Sequence, residues 1–302
     1  MKMLSGKFLC ITTVSLLTLL AARAEKQSIS REQAEVLISG LKLQQGDITV
    51  HDGLAILHVP DGFRFLDGPD AQTVLVKLWG NPPGSAPPLG MLMPDGVSPL
   101  SEKSWAVVMT YEADGYVSDK DAEKINYSEL LTQMQKSVAS ANEERQNAGY
   151  EPVHLVGWAK APRYDSQTHK LYWAKELKFG SQLDNTLNYN IRMLGRGGVL
   201  VLNGVAAMSQ LPDIEKATPR ILAAIDFNPG HRYADFNPKT DKIAEYGLAA
   251  LVAGTAAAAA VKLGFFKAAW VAILAAKKFI IIGVIAVGAS IRKLFKRNQT
   301  TT

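Results

Sequence analysis

The 302-residue chain predicts an α+β fold, mainly an antiparallel sheet with flanking helices, plus a C-terminal transmembrane helix or helices. Three observations predict it. The middle of the chain alternates β-prone runs with Asp-Gly and polar turns, as hairpins do. Separate stretches place apolar residues at helical spacing. The last quarter holds no Asp or Glu after Tyr246, and its apolar runs are long enough to cross a bilayer.

Residues 1–24 read as a secretory signal peptide: Lys2 and Lys7, an apolar core from Phe8 to Leu20, then Ala22-Arg23-Ala24 as a small-x-small cleavage pattern. The sole cysteine, Cys10, lies inside it. Cleavage after Ala24 leaves an exported chain with neither disulfide nor thiol nucleophile, so its fold rests on its core.

Residues 25–246 read as one exported globular domain, with no internal repeat or low-complexity linker. Ser30 and Gln33 form a capping box for a helix within Ser30 to Leu43. Asp47 to Val50 and Ala55 to Val59 form a hairpin about His51-Asp52-Gly53, and Phe63 to Leu66 follows a second Asp-Gly turn. His51 and His58 are two potential metal ligands without a third, and read as strand residues facing solvent. Pro69 to Trp79 reads as a helix with proline in its first turn, and the four prolines of Asn81 to Pro88 as a surface loop. Ser104 to Tyr111 reads as a central strand.

At the end of that strand lies the candidate ligand or ion patch, Glu112, Asp114, Asp119 and Asp121. Hard cations take several carboxylate oxygens, but this spacing fits no calcium loop, and alternating Asp and Lys equally describe a solvated turn. No metal and no cofactor is assigned. Tyr127 to Asn147 is the clearest long helix, stopped by Gly149. Val153 onward begins a hairpin about Asp165 to Thr168, and Asn185 to Leu194 with Val199 to Ala206 make a second about Gly195 to Gly198. That glycine turn joins two strands, so no helix N-terminus stands ready for an anion. Aromatic and basic side chains interleaved on these strands, Tyr172 and Trp173 among them and Trp158, Arg163, Tyr189 and Arg192 foremost, are a candidate cleft for a sugar-like or peptide ligand, or core filling under one helix. Pro212 to Ile225 reads as a helix. Residues 227–246, with two Asn-Pro turns, read as a folded neck in which His231, Arg232, Tyr233 and Asp235 cluster.

Residues 247–297 read as the membrane anchor, and 298–302 as a polar tail. Gly247 to Phe266 spans a hydrocarbon core with one interruption, Lys262. Arg292, Lys293, Lys296 and Arg297 favour a cytoplasmic end and an odd number of crossings. Gly254 and the alanines around it allow close helix contact and self-association. Charge agrees with this division. The chain carries 33 Lys and Arg against 28 Asp and Glu, but all the acids lie in residues 25–246, where they outnumber the bases. An acidic exported domain is a poor partner for phosphates, so no nucleic acid is expected.

Several stretches resemble a bacterial family of predicted membrane-anchored proteins, domain of unknown function 2167. They are VPDGFRFLD, LWGNPPG, YEADGYVSD, ANEERQNAGY, VGWAKAPRYD, LNYNIRMLGR and FNPGHRYADFNPKTDKIAEYGLAALVAG. The resemblance implies an exported domain and a C-terminal anchor, with no established activity and no catalytic residue to carry over. The order of elements also looks like the Mog1/PsbP-like α+β fold, an analogy that assigns no function. The expectation is a non-enzymatic partner- or ligand-binding domain, moored to the bacterial inner membrane on its periplasmic side and meeting lipid through its tail and an envelope protein through its domain. The alternative is an envelope hydrolase acting on sugars or peptides, using Glu112 and Asp114 or the His231 group.

Overall fold

A computed structural model describes residues 29–81 and 87–253. The expected signal peptide, most of the proline-rich loop and the tail from residue 254 lie outside these residues.

The N-terminal helix α1 (Arg31–Ser39) begins at the expected capping box, Ser30 Oγ accepting from Gln33 N at 3.1 Å and Gln33 Oε1 from Ser30 N at 2.9 Å. Strands β1 (Asp47–Val50) and β2 (Ala55–His58) pair antiparallel, and His51, Asp52 and Gly53 all take positive φ in the turn between them. Strand β3 (Phe63–Asp67) runs into α2 (Gly68–Gln72), where Asp67 Oδ1 accepts from Asp70 N at 3.0 Å as the cap. The helix expected over Pro69 to Trp79 changes pitch there: Thr73–Leu78 is π-helical, closed by a 2.9 Å bond from Trp79 N to Val74 O.

Strand β4 (Gly90–Pro94) was not foreseen from the sequence. Met and Gly carry little intrinsic β signal, and the strand is imposed by its two partners, β3 and β5 (Ala106–Glu112). The long helix α3 (Tyr127–Asn147), the strands β7 (Val153–Asp165), β8 (Lys170–Phe179), β9 (Thr186–Leu194) and β10 (Val199–Ala207), and the helix α4 (Leu211–Ala223) follow as expected, whereas the short strands β6 (Tyr116–Ser118), β11 (Ile225–Phe227) and β12 (Ile243–Gly247) were not foreseen, and α5 (Leu248–Ala253) begins the expected apolar tail.

A seven-stranded sheet of order β3-β4-β5-β10-β9-β8-β7 organises the domain, every neighbouring pair antiparallel. The α+β architecture with antiparallel sheets and flanking helices is therefore as expected. A smaller sheet, β1-β2-β11, and a parallel pair, β12-β6, complete it.

The first face of the large sheet is wholly apolar along its middle. Leu92, Met109, Leu187, Leu200 and Leu202 are fully buried there, against Leu57 and Ala55 of the small sheet and Ile214 and Ile221 of α4. Each such leucine contributes about 1.5–3 kcal/mol by leaving water. The second face has two separate apolar clusters. One packs Leu66, Met91, Met93, Ala106 and Val108 with Ala71 and Val74. The other packs Leu155, Leu171, Trp173, Leu194, Val199 and Val201 with Leu130 and Met134 of α3 and Leu248, Leu251 and Val252 of α5.

Residues 227–247 lie against this second cluster. Tyr233 is buried, its hydroxyl donating to Val117 O at 3.0 Å, and Tyr116 stacks on both Tyr233 and Phe236, with ring centroids 4.4 and 3.8 Å apart. Arg196 clamps Asp241 with two bonds of 2.7 and 2.9 Å, which holds the Asp241 carboxyl well below the usual range. The first turn of α5 starts on Asp121, whose carboxylate accepts from Leu248 N and Ala249 N. No helix among the described residues is long and apolar enough to cross a membrane.

Candidate functional site

Side chains directly opposite each other in an antiparallel pair share a face. The registers therefore define the second face row by row: Glu112 with Val199 and Leu194, Arg192 with Val201 and Leu171, Asn190 with Asn203 and Trp173, and Asn188 with Lys175. Between the cluster under α2 and the cluster under α3, a polar strip thus crosses β5, β10, β9 and β8 diagonally, from Glu112 through Arg192 to Lys175. Helix α2 packs on β3 and β4, and α3 on β7, so these two helices flank the strip.

At the lower end of the strip the amides satisfy one another. Asn188 Nδ2 donates to Asn203 Oδ1 at 2.8 Å, and Asn190 Nδ2 to Asn188 Oδ1 at 3.0 Å. The charged groups are not satisfied. Arg192 lies over the Trp173 ring, 4.9 Å from its centroid, and donates through Nη1 to its neighbour's carbonyl, Ile191 O, at 3.3 Å. Its Nε has no partner and no solvent, and the same holds for Glu112 Oε2 and Trp173 Nε1. Lys175 makes no hydrogen bond or ion pair among the described residues.

Dehydration dominates the titration of all three charged groups. Burial pushes Lys175 down to about 8, with Arg192 adding repulsion. Burial pushes Arg192 down to about 10, against the attraction of Glu112 and Tyr246. Burial raises Glu112, with Arg192 opposing and Asp114 reinforcing.

The acidic patch expected at the end of β5 does not converge on an ion. Asp114 accepts a 2.6 Å bond from the Tyr246 hydroxyl, Asp119 a 2.8 Å bond from Tyr164, and Asp121 caps α5. Asp119 also lies 3.8 Å from His169 Nδ1. Within the patch, Glu112 alone has a buried oxygen without a hydrogen bond.

The expected cleft of Trp158, Arg163, Tyr189 and Arg192 is divided between the two faces. Tyr189 packs with the first-face core, and Arg163 is exposed opposite Tyr172 on that same face. Trp158 lies opposite Lys175, on the face of Arg192, and donates through Nε1 to Tyr127 O at 3.3 Å. The cause is a break in alternation: β7 shifts register between Trp158 and Lys160 and again before Arg163.

The His231, Arg232, Tyr233 and Asp235 group is likewise dispersed. His231 engages through its backbone, its carbonyl accepting from Arg196 N at 2.9 Å. Arg232 Nε reaches Phe227 O at 3.4 Å, Tyr233 is buried against β6, and Asp235 accepts from Gly230 N and Arg232 N.

Sequence reading found Arg192, Glu112 and, among the interleaved aromatics, Trp173, but missed Lys175 and the three asparagines. The signal was present in Leu187-Asn188-Tyr189-Asn190-Ile191-Arg192-Met193, where every second residue is polar within a strand whose other side chains are apolar.

The profile of a family described as protein of unknown function (DUF2167) matches residues 42–288. Two solved structures are similar over most of their own length. The cyanobacterial PsbP (CyanoP) of Synechocystis sp. PCC 6803 is 9% identical, covering 62% of this chain and 92% of that one, with a TM-score of 0.34. LpqN, described as involved in cell envelope biogenesis of Mycobacterium tuberculosis, is 14% identical, covering 64% and 95%, with a TM-score of 0.28. Superpositions of that quality add nothing to the strand order described above. No curated protein matches the chain by sequence.

Proposed function

We propose that this chain, which belongs to the family of proteins of unknown function DUF2167, is an envelope protein that binds a ligand on the polar strip of its large sheet. Moored by its apolar tail to the bacterial inner membrane, it presents the domain on the periplasmic side. The single observation that carries the binding role is the set of unsatisfied atoms. Arg192 Nε, Glu112 Oε2 and Trp173 Nε1 are all shut from water, lie on one face and lack hydrogen bonds. Each such orphan costs about 1–3 kcal/mol, and a ligand that pairs with them recovers that cost on binding. Binding is favoured over hydrolysis because Asp114 and Asp119 are already engaged by tyrosines. With Asp121 capping α5, the patch holds no second free carboxylate beside Glu112 among the described residues for paired acid–base work. The location rests on the apolar leader, the acid-free tail and the basic residues at its end.

Native mass spectrometry of the full chain, extracted in detergent from inner-membrane vesicles, tests this. The expected result is an adduct of constant mass that disappears in the Glu112→Gln, Arg192→Gln double variant while the far-ultraviolet dichroism is unchanged. An adduct that survives both substitutions overturns the assignment of the face. Recovery of the chain from the cytosolic fraction with residues 1–24 attached overturns the location.

A further inference from the structure

The charges of the strip specify what kind of ligand it takes. Arg192 uses Nη1 on a backbone carbonyl, while the Nε–Nη2 edge of its guanidinium holds no hydrogen bond among the described residues. That edge is a planar pair of parallel donors, the geometry that a carboxylate fills with two bonds. Lys175 stands on the same face two rows further along, in no ion pair among the described residues and with Asn188 opposite it. At the other end of the strip, the unpaired Glu112 oxygen is an acceptor awaiting a donor.

The acids at one end of the strip discriminate between anions. Glu112 lies close enough to Asp114 for the two to repel each other, so further negative charge is unwelcome there. A phosphate dianion would sit beside the Glu112 carboxylate in a site too poor in water to screen their repulsion, and a ligand with a single charge meets less of it. An uncharged sugar would leave Lys175 and Arg192 unneutralised. The half-buried amides of Asn188 and Asn203, between the charged ends, suit an organic body with further polar groups.

We propose that Lys175 and the free edge of Arg192 receive the carboxylate of a small organic monoanion, while Glu112 accepts a hydrogen bond from a donor group on the same ligand. This inference rests on the strip being a binding face and adds the ligand's chemistry. The chemistry is shared by short peptides and by sugar acids, which the experiment separates.

Trace acetylation of the full chain in detergent micelles with acetic anhydride, read by peptide mass spectrometry, reports the state of the Lys175 amine. Exposed Lys178 on the same strand serves as internal reference and cancels loss of reagent to the probes. The probes are N-acetyl-alanyl-alanine, glucuronate, acetate, inorganic phosphate and chloride at matched ionic strength.

N-acetyl-alanyl-alanine or glucuronate is expected to slow labelling of Lys175 several-fold relative to Lys178, acetate less, and phosphate no more than chloride. Whichever of the first two protects identifies the peptide or the sugar-acid source. In Arg192→Gln the protection is expected to vanish although Lys175 still reacts. In Glu112→Gln, which preserves an acceptor, it should persist in weakened form. Protection by phosphate exceeding that by either organic acid overturns the proposal, as does protection that survives Arg192→Gln. Equal effects of all probes and chloride also overturn it. If Lys175 is unprotected while the native adduct is still lost with Glu112 and Arg192, the binding face stands and the carboxylate assignment alone fails. If neither is seen, both fail.

Discussion

On β9, Leu187, Tyr189, Ile191 and Met193 point to one face of the large sheet, and Asn188, Asn190 and Arg192 point to the other. The first set meets the small sheet and α4, and every apolar side chain finds an apolar neighbour. The second set lies between two helical layers and includes a guanidinium nitrogen with no partner. One strand therefore serves two purposes at once. The closed face supplies folding free energy, and the open face holds polar groups in a costly, pre-organised arrangement that the closed face can support.

The strongest test of this division is a deletion on the closed face. Leu202 is fully buried there, against the cores of both sheets. Leu202→Ala is expected to lower unfolding free energy by about 2–5 kcal/mol, since the surrounding layers cannot collapse into the gap. Urea denaturation should show a lower midpoint with the slope unchanged, and ligand binding to the folded fraction should persist. A loss below about 1 kcal/mol, the size of an ordinary surface effect, would mean that the closed face is not where stability resides.

The open face should reveal itself through pH. Lys175 titrates near 8 in the folded chain, below the ordinary lysine value of about 10.4. Between these values the unfolded chain binds more protons than the folded one, so stability must rise with pH through that window. Below pH 8 both states are protonated and the penalty for burying the charge is present in full. The raised tyrosines lose their protons first in the unfolded chain, near pH 10, and oppose the rise there, so the contribution of Lys175 is read between about pH 8 and 9. Lys175→Met is expected to abolish the rise and to be more stable than the parent near pH 7. Urea midpoints at a series of pH values decide this. A slope retained in Lys175→Met would assign it to another group and leave the strip hydrated.

The sequence shows the closed face better than the open one, for a physical reason. Alternation of apolar residues with turns between them is a local signal, and it located β1, β2, β3, β5 and β7 to β10 and the helices α1, α3 and α4, but not the three- to five-residue strands β6, β11 and β12, too short to show a period. β4 escaped because its Gly-Met-Leu-Met composition carries little strand preference and its partners supply the pairing. The π-helical turn after Gln72 escaped because it is a single change in hydrogen-bond offset. The acidic patch misled because three of its four carboxylates, close in sequence, are each drawn to a different tether, on Tyr246, Tyr164 and α5. The strip itself is assembled from β5, β8, β9 and β10, and only the pairing of β10 with β5 brings Glu112 to the row beside Arg192. That register is a tertiary fact that spacing along the chain does not contain.

The smallest expected effect is at Arg163, which the sequence groups with Arg192. Both are arginines on long strands of one hairpin series, and a strict period of two counted along β7 gives no warning that they diverge. The register shifts in β7 reverse that count, placing Arg163 opposite Tyr172 on the closed side, exposed to solvent and outside the apolar core. Arg163→Ala removes a hydrated side chain with no buried partner, so its unfolding free energy should stay within about 0.5 kcal/mol of the parent. Protection of Lys175 by the organic acids should be unaltered, whereas Arg192→Gln loses it. If Arg163→Ala weakens protection as much as Arg192→Gln, the ligand reaches around the sheet edge, and the two faces are not independent.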